Sequence, residues 1–198
     1  MPEPHTGRVR VAILISGTGS NMAALIDAAG HADAPFEVVL VLSNRPEAGG
    51  LAIAQGKGIA TAAVDHRPFG RDRAAHEQAI QTLLEAHAVE VVALAGYMRL
   101  LTPFLVGHWA GRMLNIHPSL LPKYPGLDTH HRAIAAGDTE AGCTVHLVTD
   151  GVDEGPILGQ AVVPVLAGDT PGSLAQRVLA SEHRLYPLAV ADFCRTLH

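Results

Sequence analysis

Apolar residues fall along this chain in compact blocks of two kinds, and the two kinds alternate. Val9–Ile15, Val38–Leu42, Ala60–Val64, Val89–Ala95 and Arg112–Ile116 are extended runs rich in β-branched and apolar residues. Between them lie Met22, Leu25, Ile26 and Ala29 at helical spacing, Leu51–Gln55, and the long amphipathic stretch Asp72–His87. A strand that is apolar at nearly every position, as Val89–Ala95 is, is buried on both faces and belongs in a parallel sheet covered by helices. The alternation predicts an α/β fold, a doubly wound and mostly parallel sheet flanked by helices. Thr102-Pro103 opens a short helix, with Thr102 as its cap and Pro103 at its first position. Further along, Thr129–Ala136 reads as a helix closed by Gly137, Cys143–Val148 as an extended segment, and Ile157–Val165 as a partly alternating strand. Asp169-Thr170-Pro171 then opens a final helix running to about Asp192. No repeat, low-complexity tract or linker divides the pattern.

Composition narrows the function classes. A chain of 198 residues with 48% hydrophobic and 17% charged residues can bury a sizeable core as one domain and is not disordered. A formal charge of -5, with no dense lysine or arginine run, argues against extended nucleic-acid binding. Val9–Ile15 is too short for a membrane span or a signal sequence, so a cytoplasmic protein without membrane partners is expected. Cys143 and Cys194 lie far apart without metal-type spacing and read as free thiols of a reducing cytosol. The 12 histidines include no H-E-x-x-H, since His76-Glu77 lacks a second histidine four residues after the first, and no metal is expected.

Chemistry concentrates at four places. Ser16-Gly17-Thr18-Gly19-Ser20-Asn21 joins a strand to a helix, where backbone N–H groups attract an anion and glycines let it approach. Met22 stands where a dinucleotide fingerprint needs a small residue, and Ser43-Asn44-Arg45 offers no carboxylate after the second strand, which disfavours NAD. No Gly-Lys-Ser/Thr follows, so a single phosphate monoester suits the loop better; a turn needing glycine for geometry alone is the other reading. Asn115 and His117 sit two residues apart at the end of an extended run that stops against Pro118, Pro122, Pro125 and Gly126. Alternation puts both on one face, where ligands of parallel sheets bind, although a loop cap and a buried satisfied histidine would look the same. Gly96-Tyr97-Met98-Arg99-Leu100-Leu101 suits a flat heteroaromatic ligand or an ordinary strand-to-helix plug. Asp153, among the acidic residues and glycines of Thr149–Pro156, reads on its own as a solvated turn.

Together these stretches resemble the folate-dependent glycinamide ribonucleotide formyltransferase family of purine biosynthesis. The likeness runs through Ile15–Asn21, Leu94–Arg99, Leu114–Gly126, Val145–Asp150, and Glu182-His183 with Tyr186-Pro187. It implies one formyltransferase domain over residues 1–198, with a Rossmann-like phosphate-binding half at 9–100 and a catalytic and folate-loop half at 101–198. It further implies Asn115, His117 and Asp153 as the catalytic group, and Gly19, Ser20 and Asn21 as holders of the 5′-phosphate. Pro118 and Glu182 complete the ribonucleotide contacts. Met98, Arg99, Leu101, Asp150, Gly151 and Val152 enclose the pterin of 10-formyltetrahydrofolate, with Arg73 near its glutamate tail. The formyl donor is a cosubstrate, no metal is implied, and the protein is expected as a monomer or homodimer.

Formyl transfer to an amine needs a neutral amine, stabilisation of the carbonyl oxygen, and a proton path to the departing nitrogen. Asn115 is expected to donate to the oxyanion, and His117, assisted by Asp153, to stabilise it or relay a proton. A carboxylate beside an imidazole favours the charged ring. A covalent route through Ser119 is the contrary expectation, without a G-x-S-x-G elbow to support it. Three rivals share parts of this reading. A methionyl-tRNA formyltransferase calls for a basic tRNA-binding domain, a formyltetrahydrofolate hydrolase for a regulatory domain ahead of Val9, and a non-catalytic nucleotide-binding module leaves the three polar residues unexplained.

Overall fold

The computed structural model describes residues 7–197; residues 1–6 and His198 lie outside the description. In chain order the elements are β1 (Val9–Ile15), α1 (Ser20–Ala29), β2 (Phe36–Ser43), α2 (Gly49–Gly56), β3 (Thr61–Ala63), α3 (Arg73–Ala86) and β4 (Val91–Leu94). There follow α4 (Pro103–His108), β5 (Met113–His117), α5 (Thr129–Ala135), β6 (Glu140–Leu147), β7 (Ile157–Pro164) and α6 (Pro171–Arg195). The strands form one sheet in the order β3-β2-β1-β4-β5-β6-β7. Pairs among β1 to β5 are parallel, and β6 and β7 join antiparallel. The doubly wound, mostly parallel sheet predicted from the alternating blocks is the observed architecture.

Several boundaries move, for local reasons. Val89 gives its N–H to Leu84 O at 3.0 Å, so it finishes the turn leaving α3 and β4 starts two residues later. Arg112 likewise bonds Trp109 O at 2.8 Å, and β5 therefore runs from Met113 and includes His117. β6 begins at Glu140 rather than Cys143, and α6 continues to Arg195. A one-turn 3-10 helix at Arg67–Phe69 has no counterpart in the hydrophobic pattern, being too short to show a period.

The sheet separates two apolar layers. Val9, Val11, Ile13 and Ile15 pack with residues of α1 and α6, whereas Ala12 and Leu14 pack with Ile80, Leu84, Leu105 and Trp109 of and beside α3 and α4. The same parity sorts β5. Leu114 and Ile116 belong to the first layer and Met113 to the second, so Asn115 and His117 face the side of α3 and α4. α4 is only six residues long, and beyond it the face of β5 is covered by loops rather than by helix.

Candidate active site

β1 ends at Ile15, and its continuation turns through Gly19 at φ +74° before α1 begins. No side chain caps α1, so its first N–H groups are left for another partner. Gly50, at the start of α2, supports this loop from behind: its N–H bonds Gly17 O at 3.0 Å. A Cβ on Gly50 would lie 2.5 Å from Ile15 Cδ1 and 3.2 Å from Gly19 Cα, so the close approach requires glycine. The sequence pattern places a helix over Leu51–Gln55 and does not show this contact. In front of the loop lies an open depression of about 310 Å³ lined by Ser16–Asn21, Arg45, Ala95, Gly96 and Met98.

Asn21 is buried on the wall of that depression and donates Nδ2–H to Glu182 Oε2 at 2.7 Å, while its Oδ1 has no partner. Burial pushes the Glu182 carboxyl above the usual carboxylate range, and the Asn21 hydrogen bond only partly opposes it. The predicted phosphate loop and Glu182 are thereby brought together across 161 residues of chain.

The strip after β4 forms the neighbouring wall. Met98 donates its N–H to Ser16 Oγ at 2.8 Å, and Ser16 Oγ donates to Asn44 Oδ1 at 2.6 Å. This ties the loop after β1 to the loop after β4, at the point where strand order reverses. Met98 and Leu100 are 66% and 65% exposed, and Val152 53%. Of these exposed apolar side chains, Met98 lines the depression itself. Leu101 is half-buried against the layer of α3 and α4, Arg99 is half-buried, and Arg73 reaches Leu100 O through Nη1 at 3.3 Å. Asp150 is exposed in the loop after β6, and Gly151 is where a Cβ would meet Glu154 Oε1 at 1.6 Å. Pro118 lines a separate small enclosed space with Ser119, Tyr124 and His130, away from the loop of Gly19–Asn21.

The polar triad converges. Leu94, just before the depression, pairs with Asn115 of β5, and Asn115 pairs across with His146 of β6. The loop between β6 and β7 folds back and delivers Asp153, whose φ of +54° is tolerated by aspartate better than by bulkier residues. Asp153 Oδ2 stands 3.3 Å from His117 Nδ1 and accepts the N–H of Gly126 at 2.8 Å. His117 Nε2 donates to Tyr124 O at 2.9 Å, so both ring nitrogens face acceptors. Burial by itself raises the Asp153 carboxyl, yet contact with His146, the Gly126 N–H and the field of His117 outweigh it and hold the carboxyl below its usual range.

His146 is the residue the sequence did not single out. Its Nδ1 donates to Leu147 O at 2.9 Å, which fixes the ring, and its Nε2 lies 3.3 Å from Asn115 Nδ2 and 3.6 Å from Asp153 Oδ1. As a neutral ring it accepts one proton of the Asn115 amide and leaves the second free for a ligand; protonated, it adds charge beside Asp153. The signal was present only as a match in a longer motif, because pairing register with Asn115 is not readable from one strand. Ser119 is excluded as a nucleophile activated by His117. Its hydroxyl donates to Lys123 O at 2.6 Å, and the His117 nitrogens are engaged elsewhere. Cys143 and Cys194 are free, buried, and pushed by burial to about 12, which makes them inert thiols. Among the described residues no group of three or more His, Cys, Asp or Glu is arranged to hold a metal ion, and no helix is long and apolar enough to cross a membrane.

A parallel strand that ends in an amide and an imidazole, with a carboxylate folded onto the ring from a later loop, defines a class: doubly wound α/β proteins equipped for acyl transfer. The family model for formyl transferases matches residues 9–190. Phosphoribosylglycinamide formyltransferase of Escherichia coli is 46% identical over 93% of this chain and 87% of its own length. The crystal structure of phosphoribosylglycinamide formyltransferase from Brucella melitensis superposes with a TM-score of 0.90 at 56% identity, covering 94% of this chain and 96% of that one. The trifunctional purine biosynthetic protein adenosine-3 of Drosophila melanogaster is 48% identical over 93% of this chain, which spans only 14% of that longer protein. The chain belongs to the formyl transferase family, on the branch of the phosphoribosylglycinamide formyltransferases. A folate-derived formyl donor comes with that family, and none of these relatives favours the tRNA formyltransferase, the hydrolase or a non-catalytic module.

Proposed function

We propose that this chain transfers the formyl group of 10-formyltetrahydrofolate to the amine of glycinamide ribonucleotide, giving N-formylglycinamide ribonucleotide, as a cytoplasmic step of purine synthesis. The observation that carries this is the convergence of Asn115, His117 and Asp153 on one loop-covered face beside the open depression at the start of α1. Residues 9–100 hold the phosphate through the N–H groups of Gly19, Ser20 and Asn21, and residues 101–198 supply the reacting groups. Glu182, held by Asn21, receives the ribose or glycinamide portion, with Pro118 following the catalytic strand. The open apolar rim of Met98, Leu101 and Val152, with Arg99, Asp150 and Gly151, takes the pterin, and Arg73 at its outer end takes the anionic tail.

The amine attacks the formyl carbon directly, and a tetrahedral intermediate forms. Asn115 donates its free amide proton to the oxygen as that oxygen gains charge. His117 gives the second stabilising proton from Nε2. In this structure Tyr124 O receives that proton, so the step requires the segment around Tyr124 to yield it to the formyl oxygen. Asp153 holds the ring in place through Nδ1, and the amine proton passes through water to N10 as its bond to the formyl carbon breaks. No covalent enzyme intermediate is needed, which agrees with the engaged hydroxyl of Ser119.

The test is an omission assay. Protein, 10-formyltetrahydrofolate and glycinamide ribonucleotide are combined, each is left out in turn, and folate absorbance is followed. Deformylation only with all three present is expected. Consumption of the folate without the amine would identify a hydrolase instead, and no reaction in the complete mixture would remove the proposal.

A further inference from the structure

We propose that Arg45 supplies the full positive charge that neutralises the substrate's phosphate, an assignment that rests on the ribonucleotide reading above. Of the residues lining the depression at Ser16–Asn21, Arg45 alone carries a charge. Its backbone is fixed on both sides: its N–H bonds Ser43 Oγ at 3.0 Å and its carbonyl accepts the N–H of Ala48 at 3.1 Å. That turn leads directly into α2, whose Gly50 is bonded to Gly17 of the phosphate loop. The Arg45 position is therefore locked to the loop it faces.

The side chain is exposed, and among the described residues no carboxylate pairs with it. The neighbouring acids Glu47 and Asp65 are both taken by Arg67, at 3.3 and 2.7 Å. An arginine kept out of an acidic network a few residues away is available to a ligand.

The electrostatics of the site call for such a group. The start of α1 offers only partial positive charge, and Glu182 bonded to Asn21 brings a carboxyl beneath the same wall. A phosphate dianion entering there meets that carboxyl without a counter-charge unless a cation closes the open side. A guanidinium answers with paired N–H donors matched to phosphate oxygens. An independent mark of a ligand is Asn21 Oδ1, an acceptor on the same wall that is buried without a partner, suited to a sugar hydroxyl.

The experiment uses ribose 5-phosphate as probe, with ribose as control, titrated calorimetrically into the full chain and into Arg45→Gln and Arg45→Lys. Wild type should bind ribose 5-phosphate, and Arg45→Gln should bind it about 10- to 100-fold more weakly, the range for a hydrogen-bonded charge. Arg45→Lys should recover most of that loss, as a point charge without the fork. Turnover should show the same factor in KM for glycinamide ribonucleotide rather than in kcat. Equal affinity of wild type and Arg45→Gln for ribose 5-phosphate would overturn the assignment and leave the ribonucleotide reading standing. A wild type indifferent to ribose 5-phosphate would take both down.

Discussion

Every hydrogen-bonding position around His117 is spoken for, and its orientation follows from that. Tyr124 O holds Nε2 and Asp153 faces Nδ1, while Gly126 fixes the carboxylate in turn. Asp153 sits below its ordinary 3.8 because these contacts exceed the effect of burial. A carboxyl with a depressed folded value contributes stability that is present above its unfolded value and is lost as pH falls through the folded one. The stability difference between wild type and Asp153→Asn, read by urea unfolding, should thus shrink as pH falls below about 4; a difference that keeps growing below about pH 4 contradicts these contacts. Glu182 runs the other way. Its carboxyl is raised above 4.5, so ionisation costs folded-state stability as pH rises from that value, until the folded value is passed. Glu182→Gln, which keeps an acceptor for Asn21, should stabilise the protein at pH 8 by about 1 kcal/mol while weakening ribonucleotide binding. A destabilised variant with normal KM would show Glu182 to be a structural residue. Asp153 also shows where residue-scale reading stops. By itself it is one acid in a turn, and only the family pattern separated it from Asp150 and Glu154, because the fold of its loop, not its spacing, brings it to His117.

At the scale of elements, the strands and helices were legible because burial on two sides imposes nearly continuous apolar runs, and Val91–Leu94 is the plainest case. Boundaries were less so, since Val89 and Arg112 are claimed by the turns that precede them. Register was not legible at all: the pairing of Asn115 with His146 depends on a connection that runs through α5 and returns the chain antiparallel, which a local pattern cannot encode. One long-range device holds these strands together. Tyr186 of α6 is fully buried, and its hydroxyl lies 2.9 Å from Leu94 O and 3.2 Å from Leu114 O, bridging the ends of β4 and β5 beneath the site. Tyr186→Phe leaves these carbonyls short of a donor and should cost about 1–2 kcal/mol in denaturant unfolding. A loss below about 0.3 kcal/mol would mean that the strand ladder alone satisfies them.

For the whole molecule, one continuous sheet sets two loops side by side: the turn after β1, which presents backbone donors, and the end of β5, which presents side-chain donors. β4 lies between them, so the distance from phosphate loop to Asn115 is set by strand spacing rather than by flexible connections. Under the proposed function, this rigid frame fixes the spacing between the acceptor's anionic end and its reacting amine, and the exposed side chains of Met98 and Val152 are left for the second substrate. The most direct measurement pairs turnover with ribose 5-phosphate affinity in Asn115→Ala, His117→Ala and Asp153→Ala. Each should lose about 100- to 1000-fold in kcat, as for a missing oxyanion donor, while binding ribose 5-phosphate within about twofold of wild type, since the phosphate is held by other residues. Turnover near the wild-type rate in any one of the three would contradict its place in the chemistry.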